Sequence, residues 1–301
     1  MSIKKDGVVI VNKGMDISSQ GVVNRIKRIF GVSKAGHTGT LDPMATGVLP
    51  VLIGRGVKAS EFMLTDSKHY RATLLLGITT DTEDVTGETL SSYSGEMPDE
   101  DRVMSVIASF KGKTMQTPPM YSALKVGGKK LYELARQGQT VDREPREIEI
   151  YSIDANKIAD NEYTLVVHCS KGTYIRTLCN DIGKALGVGG VMKTLERTEA
   201  SGYGIDRALT LEQMENMSPE ELESLIIPIE DIFKDKKAVV LPDFFSALAH
   251  SGLEIYLHKI GVSLDLDEIV RLKDKDGFFA IGQVRDFDGK YAIKPIRQFV
   301  I

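Results

Sequence analysis

The stretch 36–47, GHTGTLDPMATG, presents one carboxylate, Asp42, among small and flexible residues. Pro43 fixes its own φ and disfavours helix at the preceding residue, so we expect Asp42 in an extended or turn conformation. The nearby glycines let a ligand approach the main chain closely. Such a carboxylate could be a general base or a nucleophile, or it could form a turn, which is the commoner role of aspartate before proline. Spacing alone leaves these alternatives open.

Several other chemistries are disfavoured because their motifs are missing from the sequence. There is no G-x-S-x-G elbow, no H-E-x-x-H or C-x-x-C pattern, and no G-x-G-x-x-G after a strand. GVSKAGHT (31–38) has the glycine spacing of a phosphate-binding loop, but His37 stands where lysine is required. This segment also follows a predicted helix rather than a strand. We therefore expect neither a metal nor a nucleotide cofactor.

The composition indicates a soluble, cytoplasmic protein. A length of 301 residues suggests two domains. Cys169 and Cys179 are the only cysteines, so a disulfide framework is not expected and a reducing compartment fits best. No apolar run is long enough to cross a bilayer, and the first residues lack the features of a signal peptide.

The charges are segregated along the chain although the net charge is only −4. Residues 81–101 carry eight acids, and residues 212–231 carry seven, with no Lys or Arg in either segment. Residues 1–80 instead carry eleven Lys and Arg against five acids. This separation is compatible with a basic surface for phosphate, and equally with ordinary solvated charge.

The pattern of apolar residues predicts an α+β fold. Helices are expected at 18–30, 98–110 and 173–186, a basic helix is expected to end at Gly138, and strands or apolar segments are expected at 7–13, 48–54, 69–77, 146–157 and 162–169. These elements do not alternate as βαβ units, which disfavours a doubly wound sheet. IFKDKK (232–237) resembles a boundary, and the strand-rich tail with its DFDG turn predicts a small, mainly β domain. We therefore divide the chain at 1–235 and 236–301.

Four blocks resemble, in the same order, those of the TruB-type tRNA pseudouridine synthases. They are GHTGTLDPMATGVLPVLIGRGVK (36–58), KHYRATLLLGITTDTEDVTGE (68–88), TPPMYSALKVGGKKLYELARQG (117–138) and CSKGTYIRTLCNDIGKALG (169–187). The tail resembles, more loosely, the PUA-like RNA-binding domain of bacterial members. The resemblance implies a mixed or antiparallel sheet and an isomerase that converts uridine 55 of the tRNA T-loop to pseudouridine. Nothing is gained or lost in that reaction, so no cofactor or metal is implied.

The resemblance also implies roles for individual residues. Asp42 matches the catalytic aspartate, which acts either as a nucleophile on the sugar or as a base toward the C2′ proton. Tyr70 matches a tyrosine that stacks on uracil and is the candidate acceptor of the C5 proton; without the match it would be a core aromatic. Arg176 matches an arginine that pairs with the aspartate and would otherwise lie on a helix surface. Tyr174 and Leu195 match residues that line the pocket.

Further matches concern RNA binding. His37 matches a histidine that fills the space left by the extracted nucleotide, as base flipping requires. Lys13 matches the lysine of an N-terminal motif, although Gly14 replaces the family's usual proline. Candidates for phosphate contacts, or for ordinary helix-surface charge, are Lys125, Lys129, Lys130 and Arg136.

The expected partner is therefore tRNA, and the expected chain is a monomer, as relatives usually are. A rival hypothesis from another class is an RNA-binding or remodelling protein that keeps the fold without the chemistry. The joint presence of Asp42, Tyr70 and Arg176 favours the enzyme, because binding alone does not require all three.

Overall fold

The computed structural model describes residues 5–63 and 67–300. Within them the helices are α1 (Ser19–Phe30), α2 (Ser60–Met63), α3 (Glu100–Ser109), α4 (Leu131–Ala135), α5 (Ile175–Leu186), α6 (Leu211–Glu215), α7 (Pro219–Ser224), α8 (Asp243–His250) and α9 (Leu257–Ile260). The strands are β1 (Gly7–Lys13), β2 (Ala35–His37), β3 (Thr46–Ile53), β4 (Lys68–Leu76), β5 (Ile78–Thr80), β6 (Thr89–Ser92), β7 (Gly112–Gln116), β8 (Lys125–Val126), β9 (Lys129–Lys130), β10 (Arg146–Ala159), β11 (Glu162–Cys169), β12 (Gly190–Ala200), β13 (Tyr203–Gly204), β14 (Ile227–Pro228), β15 (Lys237–Val240), β16 (Ile255–Tyr256), β17 (Ile269–Asp274), β18 (Gly277–Phe287) and β19 (Lys290–Gln298). The predicted α+β class is confirmed.

A large, mainly antiparallel sheet forms the frame of the molecule. In the described part of the chain its order is β14-β1-β3-β12-β4-β11-β10-β7, with β2 beside β3 and β13 beside β12. The pairing of β12 with β3 is parallel and short, and it sets Arg197 opposite Gly47. This junction brings the end of β12 next to the loop that carries Asp42.

Helix α1 begins and ends where its sequence predicts. Ser18 caps it by accepting a hydrogen bond from the Gly21 amide, and Gly31 ends it at φ 61°. Its apolar face, which includes Val22 and Ile26, packs in one cluster with β1 and β3. The helix therefore rests on β1 and on β3, the strand that follows the Asp42 loop.

Strand β4 shows the predicted alternation. Tyr70, Ala72, Leu74 and Leu76 are buried in a cluster that also includes residues of α3 and α5. One face of the sheet thus holds Tyr70 on the same side as the helix that carries Arg176.

The basic helix predicted to end at Gly138 is present but short, and a hairpin precedes it. Strands β8 and β9 form a hairpin whose turn residues, Gly127 and Gly128, have φ of 57° and 84°. Two positive φ angles suit a tight hairpin turn and interrupt a helix, and glycine adopts them at little cost. Only α4, five residues long, remains helical. Lys125, Lys129 and Lys130 therefore lie on a hairpin rather than on a helix face.

The tail is mainly β, as predicted. Its strands follow the order β15-β17-β18-β19-β16 in the described residues, and Asp288 and Gly289 form the predicted turn with φ of 53° and 79°. Ile281 of β18 and Phe299, which directly follows β19, pack in one cluster with Val8 of the large sheet. Because the two sheets share apolar contacts, removal of the tail would expose part of the core. The proposed division at 235/236 stays a prediction.

Candidate active site

Asp42 lies in the loop between β2 and β3, and hydrogen bonds to α1 hold this loop in place. Ser19, the first residue of that helix, accepts a hydrogen bond from the Leu41 amide at 2.8 Å and donates one to the Leu41 carbonyl at 2.9 Å. The Ala45 amide donates to the Asp42 carbonyl at 3.1 Å and closes a turn over Pro43. The main chain on both sides of Asp42 is therefore fixed.

Lys13 holds the same loop through hydrogen bonds to its main chain. Its ammonium group donates to the carbonyls of Gly14, Pro43 and Ala45, and the residue is 0% exposed. Burial lowers the pKa of Lys13 to about 8, an effect that Asp42 and Asp16 oppose. Lys13 is expected from the sequence to bind substrate, whereas in the structure it has no exposed surface and supports the loop.

Lys13→Met is expected to lower the free energy of unfolding by about 2–4 kcal/mol and to reduce activity. Methionine has a similar length but no donor, so buried carbonyls of the loop lose a partner, at roughly 1–3 kcal/mol each. Urea unfolding and an activity assay check this. Lys157→Met, at an exposed position of β10, serves as the control, and equal stability of the two variants would contradict the supporting role.

Arg176 pairs with Asp42 through a salt bridge and one hydrogen bond. Its Nε lies 2.9 Å from Asp42 Oδ2, and its Nη2 lies 3.2 Å from Asp42 Oδ1. The arginine side chain is 5% exposed, whereas the aspartate side chain is 33% exposed. The guanidinium also donates to the carbonyls of Thr82 at 3.1 Å and Tyr121 at 2.7 Å. A planar fork with several partners holds the carboxylate in one orientation and leaves part of it open.

The charges around Asp42 act in opposite directions. Burial raises the pKa of the Asp42 carboxyl, the Arg176 guanidinium opposes this, and the nearby Asp84 carboxylate raises it further. Asp84 is buried, and its Oδ2 lies 3.8 Å from Arg176 Nε. Arg176 is therefore the main group that favours the ionised form of Asp42.

A cleft of about 400 Å³ opens beside the pair. Tyr70, Tyr174 and Leu195 line it together with Asp42 and Arg176. Burial raises the pKa of Tyr70, and the positive charge of Arg197 opposes this shift. Asp42 is the one carboxylate among the described residues that line the cleft. Residues from four separate segments of the sequence thus meet at one cavity.

Two residues of the site, Arg197 and Asp84, are missing from the sequence analysis. Arg197 is 1% exposed; it also lines the cleft and donates to the carbonyls of Val48 at 2.7 Å and Gly39 at 3.3 Å. A β-carbon at Gly47, where φ is 101°, would lie 2.3 Å from the Arg197 carbonyl oxygen. A glycine inside a strand can signal such a close approach of another main chain. The sequence offers no comparable signal for Asp84, which is one of several acids in its segment.

The remaining candidates lie outside the cleft. His37 is on β2, and burial and Arg197 both lower its pKa, so the neutral ring is favoured at neutral pH. Residues 122–124 line the cleft immediately before the β8–β9 hairpin. The cleft edge therefore continues into the segment that carries Lys125, Lys129 and Lys130.

Within residues 5–63 and 67–300, no group of three or more His, Cys, Asp or Glu side chains is arranged to hold a metal ion. No helix in these segments is long and apolar enough to span a membrane.

Comparison with known proteins identifies the family. Residues 27–175 match the family model described as TruB family pseudouridylate synthase (N terminal domain), and residues 176–234 match the tRNA pseudouridylate synthase B C-terminal domain. A Clostridium tetani protein named tRNA pseudouridine synthase B is 41% identical over 278 residues, which are 92% of this chain and 95% of the relative. The chain belongs to the TruB family of pseudouridylate synthases. It is therefore an isomerase, and the resemblance seen in the sequence is confirmed.

Other relatives agree with this family. A Francisella tularensis subsp. novicida protein with the same name is 42% identical over 283 residues, covering 92% of this chain and 91% of the relative. A chain in the crystal structure of a Cbf5-Nop10-Gar1 complex superposes with a TM-score of 0.73 at 26% identity, covering 98% of this chain and 85% of that one. A chain of the archaeal box H/ACA sRNP Nop10-Cbf5 complex gives 0.71 at 24% identity, with 99% and 87% covered. The fold described above is shared with these chains.

Proposed function

We propose that this TruB family enzyme converts uridine 55 in the T-loop of tRNA to pseudouridine, with Asp42 as its catalytic carboxylate. The pairing of Asp42 with Arg176 at the cleft carries the proposal, because the acid is held rigidly and is still one-third exposed. The names of the Clostridium and Francisella relatives support tRNA as the substrate.

One carboxylate is enough for this reaction. The N1–C1′ bond of uridine breaks, the uracil turns in place, C5 bonds to C1′, and the C5 proton is lost as N1 gains one. No water is activated, which distinguishes the reaction from glycoside hydrolysis with its two carboxyl groups. Asp42 acts either as a nucleophile on C1′ or as a base on the C2′ proton, and both routes require its ionised form.

Tyr70 and Tyr174 hold the base in this proposal. The aromatic ring of Tyr70 stacks on uracil, and its hydroxyl is the candidate acceptor of the C5 proton. Burial disfavours the phenolate that this role requires, and Arg197 is the nearby charge that favours it. Leu195 closes the apolar side of the cleft.

The target nucleotide must leave its stack to reach Asp42. The cleft of about 400 Å³ is of the size that takes a small ligand, so an extruded nucleotide is the matching substrate. The neutral ring of His37 then stacks in the vacated space of the T-loop. Lys125, Lys129 and Lys130 contact backbone phosphates from the hairpin, and the PUA-like tail adds affinity. We propose that the enzyme acts as a monomer in the cytoplasm, where its two free and buried cysteines stay reduced.

Mapping of pseudouridine on an unmodified tRNA transcript tests the position. The expected product carries pseudouridine at position 55, and a transcript with cytidine at that position stays unmodified. Conversion at other uridines, or equal conversion of the cytidine-55 transcript, would contradict the assignment of the substrate site.

A further inference from the structure

Glu83 lies between two residues that contact Arg176. The Thr82 carbonyl accepts from Arg176 Nη1 at 3.1 Å, and Asp84 Oδ2 lies 3.8 Å from Arg176 Nε. Glu83 itself has a φ of 63°, in the left-handed region that disfavours residues with a β-carbon. A non-glycine residue keeps this conformation only when its surroundings hold it there.

The carboxylate of Glu83 connects this loop to helix α5. Its Oε2 accepts from the Thr177 hydroxyl at 2.6 Å, and its Oε1 accepts from Asn180 Nδ2 at 3.2 Å. Thr177 and Asn180 are 3% and 8% exposed, and Thr177 directly follows Arg176. The Glu83 carboxylate is thus hydrogen-bonded to the first turns of α5, which also carry Arg176.

The main chain at Glu83 connects the loop to the sheet. The Met192 amide donates to the Glu83 carbonyl at 3.1 Å, and the Val85 amide donates to the Met192 carbonyl at 3.1 Å. Side chain and main chain together therefore fix residues 82–84 between β12 and α5. The two residues that face the guanidinium, Thr82 and Asp84, are the direct neighbours of Glu83 in this fixed segment.

We propose that Glu83 is a positioning residue for the isomerisation, and this inference rests on the proposed function. Its carboxylate holds residues 82–84 against α5. The Thr82 carbonyl and Asp84 then keep the Arg176 guanidinium in the orientation that binds Asp42. Glu83 touches neither the substrate nor the reacting atoms. Without its two hydrogen bonds the left-handed turn relaxes, the Thr82 carbonyl moves away, and Arg176 holds Asp42 less well.

The test compares Glu83→Ala, Glu83→Gln and the exposed control Glu88→Gln in single-turnover conversion of a tRNA transcript. For Glu83→Ala we expect a rate constant about 10- to 100-fold lower, the range typical of removing an outer partner of a functional group, with little change in tRNA affinity. Glu83→Gln should recover most of the rate, because its amide oxygen accepts from Asn180 and its NH₂ donates to the Thr177 hydroxyl. Glu88→Gln should match the wild type.

The pH profile separates positioning from a merely structural role. The charged groups around Asp42 are Arg176, Asp84 and Lys13, and a displaced Arg176 lowers the pKa of Asp42 less. The acid limb of the rate profile should therefore move to higher pH in Glu83→Ala. A rate loss without this movement would assign Glu83 a structural role and overturn the inference, as would a wild-type rate or a failure of Glu83→Gln to recover activity.

Thr177→Val offers a second route if Glu83→Ala does not fold. It removes one donor to Glu83 and leaves the loop sequence intact, so we expect a smaller rate loss with the same direction of shift in the acid limb. An unchanged rate and profile would overturn the inference. Absence of conversion by the wild-type enzyme would instead overturn the proposed function, and this inference with it.

Discussion

Asp42→Asn is expected to abolish conversion, with a rate loss on the order of 10³-fold or more, while tRNA binding stays close to normal. Asparagine has nearly the same shape, but it is neutral and can act neither as the nucleophile nor as the base. The cleft itself is unchanged, since Tyr70, Tyr174 and Leu195 still line it. Single-turnover conversion and filter binding on the same transcript measure the two quantities separately.

Asp101→Asn is a matched control for this change. Asp101 is exposed in the first turn of α3. Its replacement by asparagine is the same chemical change, made away from the cleft. Thermal unfolding of both variants shows whether Arg176, now facing a neutral partner, destabilises the protein. Wild-type turnover by folded Asp42→Asn would show that the carboxylate is not the catalytic group.

Arg176→Gln is expected to lower conversion by about 10²-fold or more and to move the acid limb of the pH–rate profile to higher pH. The reaction needs ionised Asp42, burial already raises the pKa of that carboxyl, and Arg176 is the main opposing charge. Removing it raises the pKa further, so activity is lost at a higher pH as the solution is acidified. Asp84 adds to the shift because it lies within 3.8 Å of the arginine Nε and loses that cation.

Arg176→Lys separates charge from geometry in the same measurement. Lysine keeps a positive charge but lacks the planar fork that bonds both carboxylate oxygens. We expect a smaller movement of the acid limb than in Arg176→Gln, with a rate that is still reduced. An unchanged acid limb in Arg176→Gln would show that Arg176 does not control the ionisation of Asp42.

Sequence patterns predict a helix or strand correctly where residues close in sequence determine it. Ser18 and Gly31 mark the ends of α1, and the alternation in β4 marks the buried face that holds Tyr70. The same patterns miss the hairpin that precedes α4, because the lysines around Gly127 and Gly128 resemble the charged face of a helix. A pair of adjacent glycines with positive φ is the stronger local signal there.

The site depends on contacts that no local pattern reports. Arg176 and Asp42 are 134 positions apart, and by its own segment Arg176 would be placed on a helix surface. Only the family resemblance brings the two together in the sequence analysis. Lys13, Asp84 and Arg197 act through burial and long-range hydrogen bonds, which spacing does not encode. Gly47 is explained in the same way, since a β-carbon there would collide with the main chain of Arg197.

The most direct test of the central claim is a single-turnover reaction of the wild-type enzyme, dialysed against EDTA, with an unmodified tRNA transcript. The claim is that Asp42, aligned by Arg176, rearranges one extruded uridine without help from a metal or a nucleotide. The predicted result is complete conversion of the T-loop uridine at position 55 to pseudouridine. No conversion, or conversion restored only by an added metal ion or nucleotide, would contradict it.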